Sequence, residues 1–283
     1  MKLRIRTIAR LTGIREATLR AWERRYGFPS PARGENNYRT YSRDEVEAIR
    51  RVAQLIEEGF SASEAIEQVR TVPVWPVSVT EHLRERFWSA VAVLDTEGAD
   101  TVLTEAQRVM TPVALCDTFL LPLLRQMADR LDVAREHLAS ALVRQRLRAL
   151  TQAPGAGTGP RVVLACPSGE QHEGGVLGLG VHLKAAGWRL AVLGADTPVE
   201  AVTAAARTSE VDVVALSFVT PRPPEDMEAF VRAVVAGCSA PVVVGGPMAR
   251  EHPHRVALAG AHFGETAAEV AAVVRLASSA SAR

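Results

Sequence analysis

The stretch SGEQHEGG, residues 168–175, places carboxylates, an imidazole and three glycines within eight positions. Glu170 stands two residues before His172, close enough to engage one ring nitrogen and so orient the other. Gly174 and Gly175 withdraw side chains where something bulky must approach. Three roles fit a histidine so placed: a hydrogen-bonded structural group, a general base, or a ligand to a metal inside a bound cofactor. Catalysis would call for further convergent groups, and no metalloprotease helix, phosphate-binding P-loop or G-x-S-x-G elbow occurs in the chain. The glycines of GLGVHLKAAG, in that context, form no dinucleotide fingerprint.

Such a histidine needs a strand end to hold it, and RVVLACP supplies one immediately upstream. RVVLACP, RLAVLGA, VDVVALSF and APVVVGG are short β-rich apolar runs, separated by the helical segments GGVLGLGVHLKAAG, PVEAVTAAARTS and EDMEAFVRAVVAG. Right-handed crossovers then build a doubly wound parallel sheet, Rossmann-like or flavodoxin-like, over residues 160–283, with any ligand at the carboxyl ends of the strands. Residues 80–152 carry apolar positions three and four apart in four helix-forming segments, which predicts a four-helix bundle with Phe87, Trp88 and Phe119 in its core. TVPVWPVSVT (residues 71–80) and TQAPGAGTGP (residues 151–160), rich in proline or glycine, read as the two linkers.

Charge separates a third unit, residues 1–72. The chain is nearly neutral at +1, yet residues 1–43 carry +8 and the remainder −7. From charge alone two readings stay open: a polyphosphate partner, because each Lys or Arg that neutralises a phosphate releases condensed counterions, or a solvated basic face. In RTIARLTGIREATLRAWERRYGF, apolar residues recur at helical spacing, break at Thr12-Gly13 and resume: helix, tight turn, helix. The second helix presents Arg15, Thr18, Arg20, Arg24 and Arg25 outward, a set suited to phosphates and base edges, with Leu19 and Trp22 inward. A turn-rich hairpin follows and Ser42 opens the next helix, so the pattern is a winged helix-turn-helix.

At 47% hydrophobic and 23% charged residues the chain is an ordinary folded protein, long enough for two or three packed units. Cys116, Cys166 and Cys238 form no C-x-x-C pair, which argues against a disulfide framework or a thiolate zinc site. No signal-peptide core and no apolar run of membrane-spanning length is present, so a cytoplasmic protein without membrane contact is expected.

IARLTGIREATLRAWERRYGFPSPAR followed by YRTYSRDEVEAI resembles the DNA-binding domain of MerR-type transcription regulators. That resemblance implies double-stranded promoter DNA as partner, Arg15 to Arg25 as recognition helix, and Arg33, Tyr38, Arg39 and Tyr41 in or beside the wing. The spacing E-x-H-x-x-G resembles the lower-ligand motif of cobalamin-binding domains, and LSFV and VVVGG resemble two later elements of the same family. By this resemblance His172 coordinates cobalt in place of the cofactor's own base. Ser217, Val219, Gly245 and Gly246 would lie along the cofactor's tail, and Asp196 and Thr197 at the pocket rim.

The whole order resembles the CarH/LitR-type light-responsive repressors. It implies a non-enzymatic repressor that binds adenosylcobalamin and assembles as a dimer or tetramer. In that family a tryptophan, followed by a Glu-His pair, covers the cofactor's upper face. Glu136 and His137 supply the pair here; upstream, LLPLLRQMADRLDVAREH is about five residues shorter than the family pattern, with Met127 and Ala128 where the tryptophan would stand. A cobalamin-independent MerR-type regulator is the alternative, and a corrinoid enzyme a third reading that the DNA-binding head disfavours.

Overall fold

Residues 3–33, 39–57, 60–71, 77–153, 157–208 and 211–281 are described by the structure, a computed structural model. The head begins with α1 (Ile5–Thr12) and α2 (Glu16–Tyr26), joined by the turn that starts at Gly13. A two-stranded antiparallel ribbon, β1 (Ala32–Arg33) and β2 (Arg39–Thr40), forms the wing. Behind them α3 (Arg43–Glu57) and α4 (Ala62–Thr71) close a core containing Ile8, Leu19, Trp22, Ile49 and Ile66. Both helices start from Ser-x-x-Glu boxes: the backbone N–H of Ser42 and of Ser61 donates to Glu45 and Glu64, and each serine hydroxyl accepts in return.

The central unit comprises α5 (Val77–Ala92), α6 (Thr96–Val109), an interrupted third helix and α9 (Val133–Gln152). Helix α5 starts at Val77, inside the stretch read as the first linker. The third helix runs as α7 (Pro112–Leu115), a π turn at Cys116–Leu120, and α8 (Leu121–Arg130). Pro122 explains the break, because it has no N–H for the carbonyl of Thr118, which accepts from Arg84 instead. Phe87 and Phe119 are fully buried in the bundle core, whereas Trp88 is half-buried at its edge beneath Arg130.

The third unit alternates β3 (Arg161–Pro167), α10 (Gly174–Ala185), β4 (Arg189–Thr197), α11 (Val199–Thr208), β5 (Val213–Ser217), α12 (Pro224–Gly237), β6 (Val242–Gly245), α13 (Pro247–Glu251), α14 (Pro253–Leu258), β7 (His262–Phe263) and α15 (Ala267–Ser281). All sheet pairings are parallel and the strand order is β4-β3-β5-β6-β7, the flavodoxin-like arrangement. The order reverses between β3 and β5, and in such sheets ligands bind outside the carboxyl ends of the strands at that switch point. Helix α10 is shared by two cores: Leu177 and Val181 pack into the bundle, Val176 and Leu183 onto the sheet.

Candidate functional site

His172 lies in the loop between β3 and α10, at the switch point, with its side chain 67% exposed. Glu170 beneath it is fully buried. One carboxylate oxygen of Glu170, Oε1, accepts from the backbone N–H of His172 at 2.9 Å, from Thr220 Oγ1 at 2.9 Å, and from His172 Nδ1 at 2.8 Å. The other, Oε2, accepts from the N–H groups of Val219 at 2.9 Å and Thr220 at 2.6 Å. Burial alone would raise the pKa of this carboxyl, but the N–H groups of Thr220, His172 and Val219 outweigh it and hold it down at about 2. An ionised carboxylate only accepts, so the proton of a neutral imidazole sits on Nδ1 and the lone pair of Nε2 points outward. This is the arrangement in which a histidine serves as a metal ligand.

Neighbouring segments fix that loop. The N–H of Asp196, at the end of β4, donates to Glu170 O at 2.9 Å, and its carboxylate accepts from Gly169 N at 2.7 Å. Buried Ser217 closes β5, and a Cβ added at the exposed Gly175 would lie 3.6 Å from its hydroxyl, so no side chain separates the start of α10 from that strand end. Gly174 serves the protein itself: its Cβ would lie 2.5 Å from Leu124 of α8, and the bulky group it admits is the bundle. Gly245 pairs with Ser217 across the sheet, and Gly246 follows with its N–H donating to Glu265.

Helix α9 stands over the loop. Arg144 donates to Gln171 O at 3.4 Å, and Arg148 makes a two-point ion pair with the buried Glu173 at the start of α10. His137, Arg144 and Arg148 share one helix face by their spacing, so His137 lies about 10 Å along the axis from Arg144. Its ring is 76% exposed and Nε2 lies 3.8 Å from Glu136.

Three expected contacts are corrected. Tyr41 is 1% exposed, its ring in the core of the head, and burial pushes its hydroxyl pKa up, so it supports the wing from within. Met127 is 2% exposed in the bundle core and presents nothing toward His172. Thr197 is buried and its hydroxyl donates to Gly194 O at 3.1 Å, which shapes the end of β4. Sequence reasoning missed Thr220, Arg222, Arg144, Arg148 and Glu173. The signal was in VTPRP directly after the third strand, because polar residues leaving that strand reach the switch point.

On the head, Arg15, Arg20, Arg24 and Arg25 are exposed along or just before α2, Thr18 is half-buried, and Arg20 pairs with Glu16 at 3.3 Å. Arg39 of the wing donates to Glu23 of α2 at 2.7 Å, which ties wing to helix. Arg33 enters the wing through its backbone pairing with Arg39, and Tyr38 lies outside the described residues. Among the described residues no helix is long and apolar enough to cross a membrane.

Residues 3–70 match the family model of MerR HTH regulatory proteins, and residues 160–274 match that of the B12-binding domain. The chain is 59% identical over 280 residues to the HTH-type transcriptional repressor CarA of Myxococcus xanthus, covering 96% of each chain. With the HTH-type transcriptional repressor CarH of the same organism it shares 34% identity over 271 residues, 88% of this chain and 90% of that one. A solved monomethylamine corrinoid protein from Methanosarcina barkeri superposes with a TM-score of 0.51 at 15% identity, over 70% of this chain and 98% of that chain, a likeness of fold. Head, bundle and sheet domain together place the chain in the family of MerR-type, DNA-binding transcription regulators that carry a B12-binding domain.

Proposed function

We propose that this chain is a repressor whose self-association and promoter occupancy are set by adenosylcobalamin held through His172. The carrying observation is the buried, ionised Glu170 on His172 Nδ1, which leaves Nε2 free and oriented as the nitrogen that would hold the cobalt. Ser217, Val219, Gly245 and Gly246 line the path for the cofactor's tail, Asp196 and Thr197 shape the rim, and Glu136 with His137 stands on the face of α9 above. When bound, adenosylcobalamin supplies a light-labile bond from cobalt to carbon. The protein holds the cofactor between loop and bundle, so a form that fits the assembled state better shifts the equilibrium toward it by the difference in affinity, and no further.

A second reading, regulation without cobalamin, draws on Met127: its place in the bundle core leaves the shortened cap without the side chain expected over the cofactor. One experiment separates them. The protein is incubated in the dark with adenosylcobalamin, desalted, and examined by absorption and operator binding before and after green light, beside His172→Ala. A corrin spectrum retained by wild type and lost by the variant, with operator affinity that follows the cofactor, supports the proposal. Equal operator affinity with and without cofactor supports the second reading, and retention by His172→Ala removes the ligand assignment. A spectrum that changes in green light makes light the signal.

A further inference from the structure

The guanidinium of Arg222 reaches the Glu170–His172 pair from the loop after β5, and nothing in the E-x-H-x-x-G pattern anticipates it. Its Nη2 lies 3.7 Å from Glu170 Oε2, the oxygen not used by the imidazole. Nη1 donates to Ser168 O at 3.2 Å, and the guanidinium carbon lies 5.4 Å from the centroid of the Phe218 ring. The side chain is only 17% exposed, and its Nε is buried without a hydrogen-bond partner. Leaving a guanidinium N–H idle in the interior is costly, and bracing Ser168 O alone would need no full charge. What a neutral side chain could not provide is a cation beside a fully buried carboxylate.

We propose that Arg222 is a positioning residue that acts through Glu170 and sets how strongly His172 donates to a metal. The inference rests on the reading of His172 as cobalt ligand. A carboxylate whose charge is partly offset at Oε2 pulls less on the proton at Nδ1, so the imidazole keeps that proton firmly and Nε2 remains a moderate donor. Without the cation, Glu170 accepts more strongly from Nδ1–H, the ring becomes more electron-rich, and Nε2 binds a metal more tightly. Arg222 thus tunes the axial bond without touching the cofactor.

The test uses full-length protein loaded with hydroxocobalamin and reduced to the cobalt(II) form, as wild type, Arg222→Met and Arg222→Lys. Two quantities are read: the nitrogen hyperfine splitting from the axial ligand in the electron paramagnetic resonance spectrum, and the midpoint potential for further reduction to cobalt(I). The expected result is a larger splitting and a more negative potential in Arg222→Met, with Arg222→Lys returning both toward wild type. Values in Arg222→Met equal to wild type, or equal shifts in both variants, overturn the proposal and leave Arg222 as a brace for the Ser168 loop. Loss of cobalamin by Arg222→Met also overturns the proposal, because removal of the cation should strengthen the axial bond and not weaken it, and loss by both variants leaves Arg222 as a brace for the Ser168 loop. Absence of the nitrogen splitting in wild type would reject His172 as ligand, an outcome distinct from any of these.

Discussion

Arginines on the head differ in what their charge already does. Arg24 is exposed near the end of the recognition helix α2 and is available to a phosphate, whereas Arg39 spends part of its charge on Glu23 at 2.7 Å. That carboxylate raises the guanidinium pKa through its hydrogen bond and its charge. Replacing Arg24 by Ala should weaken operator binding and lower the slope of log K against log salt by about 0.9, the loss of one neutralised phosphate. Arg39→Ala should weaken binding with a smaller change in slope, because its net contribution to the field is reduced by Glu23 and its main effect is to release the wing from α2. Titrating operator affinity against salt for both variants checks this, and identical slopes would show that Arg39 contacts phosphate despite its partner.

Elements were the most legible level, because period and punctuation are local. The alternation of β-rich runs with helical segments foretold β3, β4, β5 and β6, and the helical spacing around Thr12-Gly13 foretold α1 and α2. Legibility failed where burial depends on what packs from elsewhere in the chain. Tyr41 reads as a wing residue until its backbone pairs with Leu3 and its ring enters the core, and Met127 reads as a cap until α8 turns it inward. Glu170 and His172 were visible as neighbours, but Thr220 and Arg222 lie about fifty residues onward and meet them only because β5 lies beside β3. Gly246 shows an element-level need hidden in a motif. The pattern VVVGG suggests room for a ligand, yet Gly246 has φ of 96°, and a Cβ there would run into the Phe218 carbonyl. Gly246→Ala should destabilise the sheet domain by about 1–3 kcal/mol from backbone strain, with the clash in addition, in cofactor-free protein as well. Denaturant unfolding of the apo form measures it; a variant as stable as wild type would return Gly246 to a purely ligand-related role.

At the scale of the whole molecule, two cores and not three should respond to heat. The head has its own buried cluster, and the ion pair that reaches from it to the bundle, Arg51 to Asp117 at 3.5 Å, is partly exposed and of the kind worth about 0–1 kcal/mol. Bundle and sheet are joined differently, because α10 contributes Leu177 and Val181 to the bundle core while its other face covers the sheet. Arg148 of α9 holds the buried Glu173 at the mouth of α10, where a Cβ at Gly194 would strike the guanidinium, so three elements are fitted around one ion pair. Calorimetry of the cofactor-free chain should therefore resolve a transition for the head and a single larger one for bundle and sheet together. Arg148→Leu strands the carboxylate of Glu173, and the cost should lie at the low end of the roughly 3–5 kcal/mol seen when buried pairs are broken, since Arg148 itself keeps contact with water. Only the larger transition should move, and it should stay single. If it splits into two, bundle and sheet fold independently, and a signal at His172 could reach α9 only through the loop contacts of Arg144; if it moves as one, the loop at residues 168–173 and the helix face above it form a single body. In that body, any ligand that changes their spacing changes the bundle as a whole.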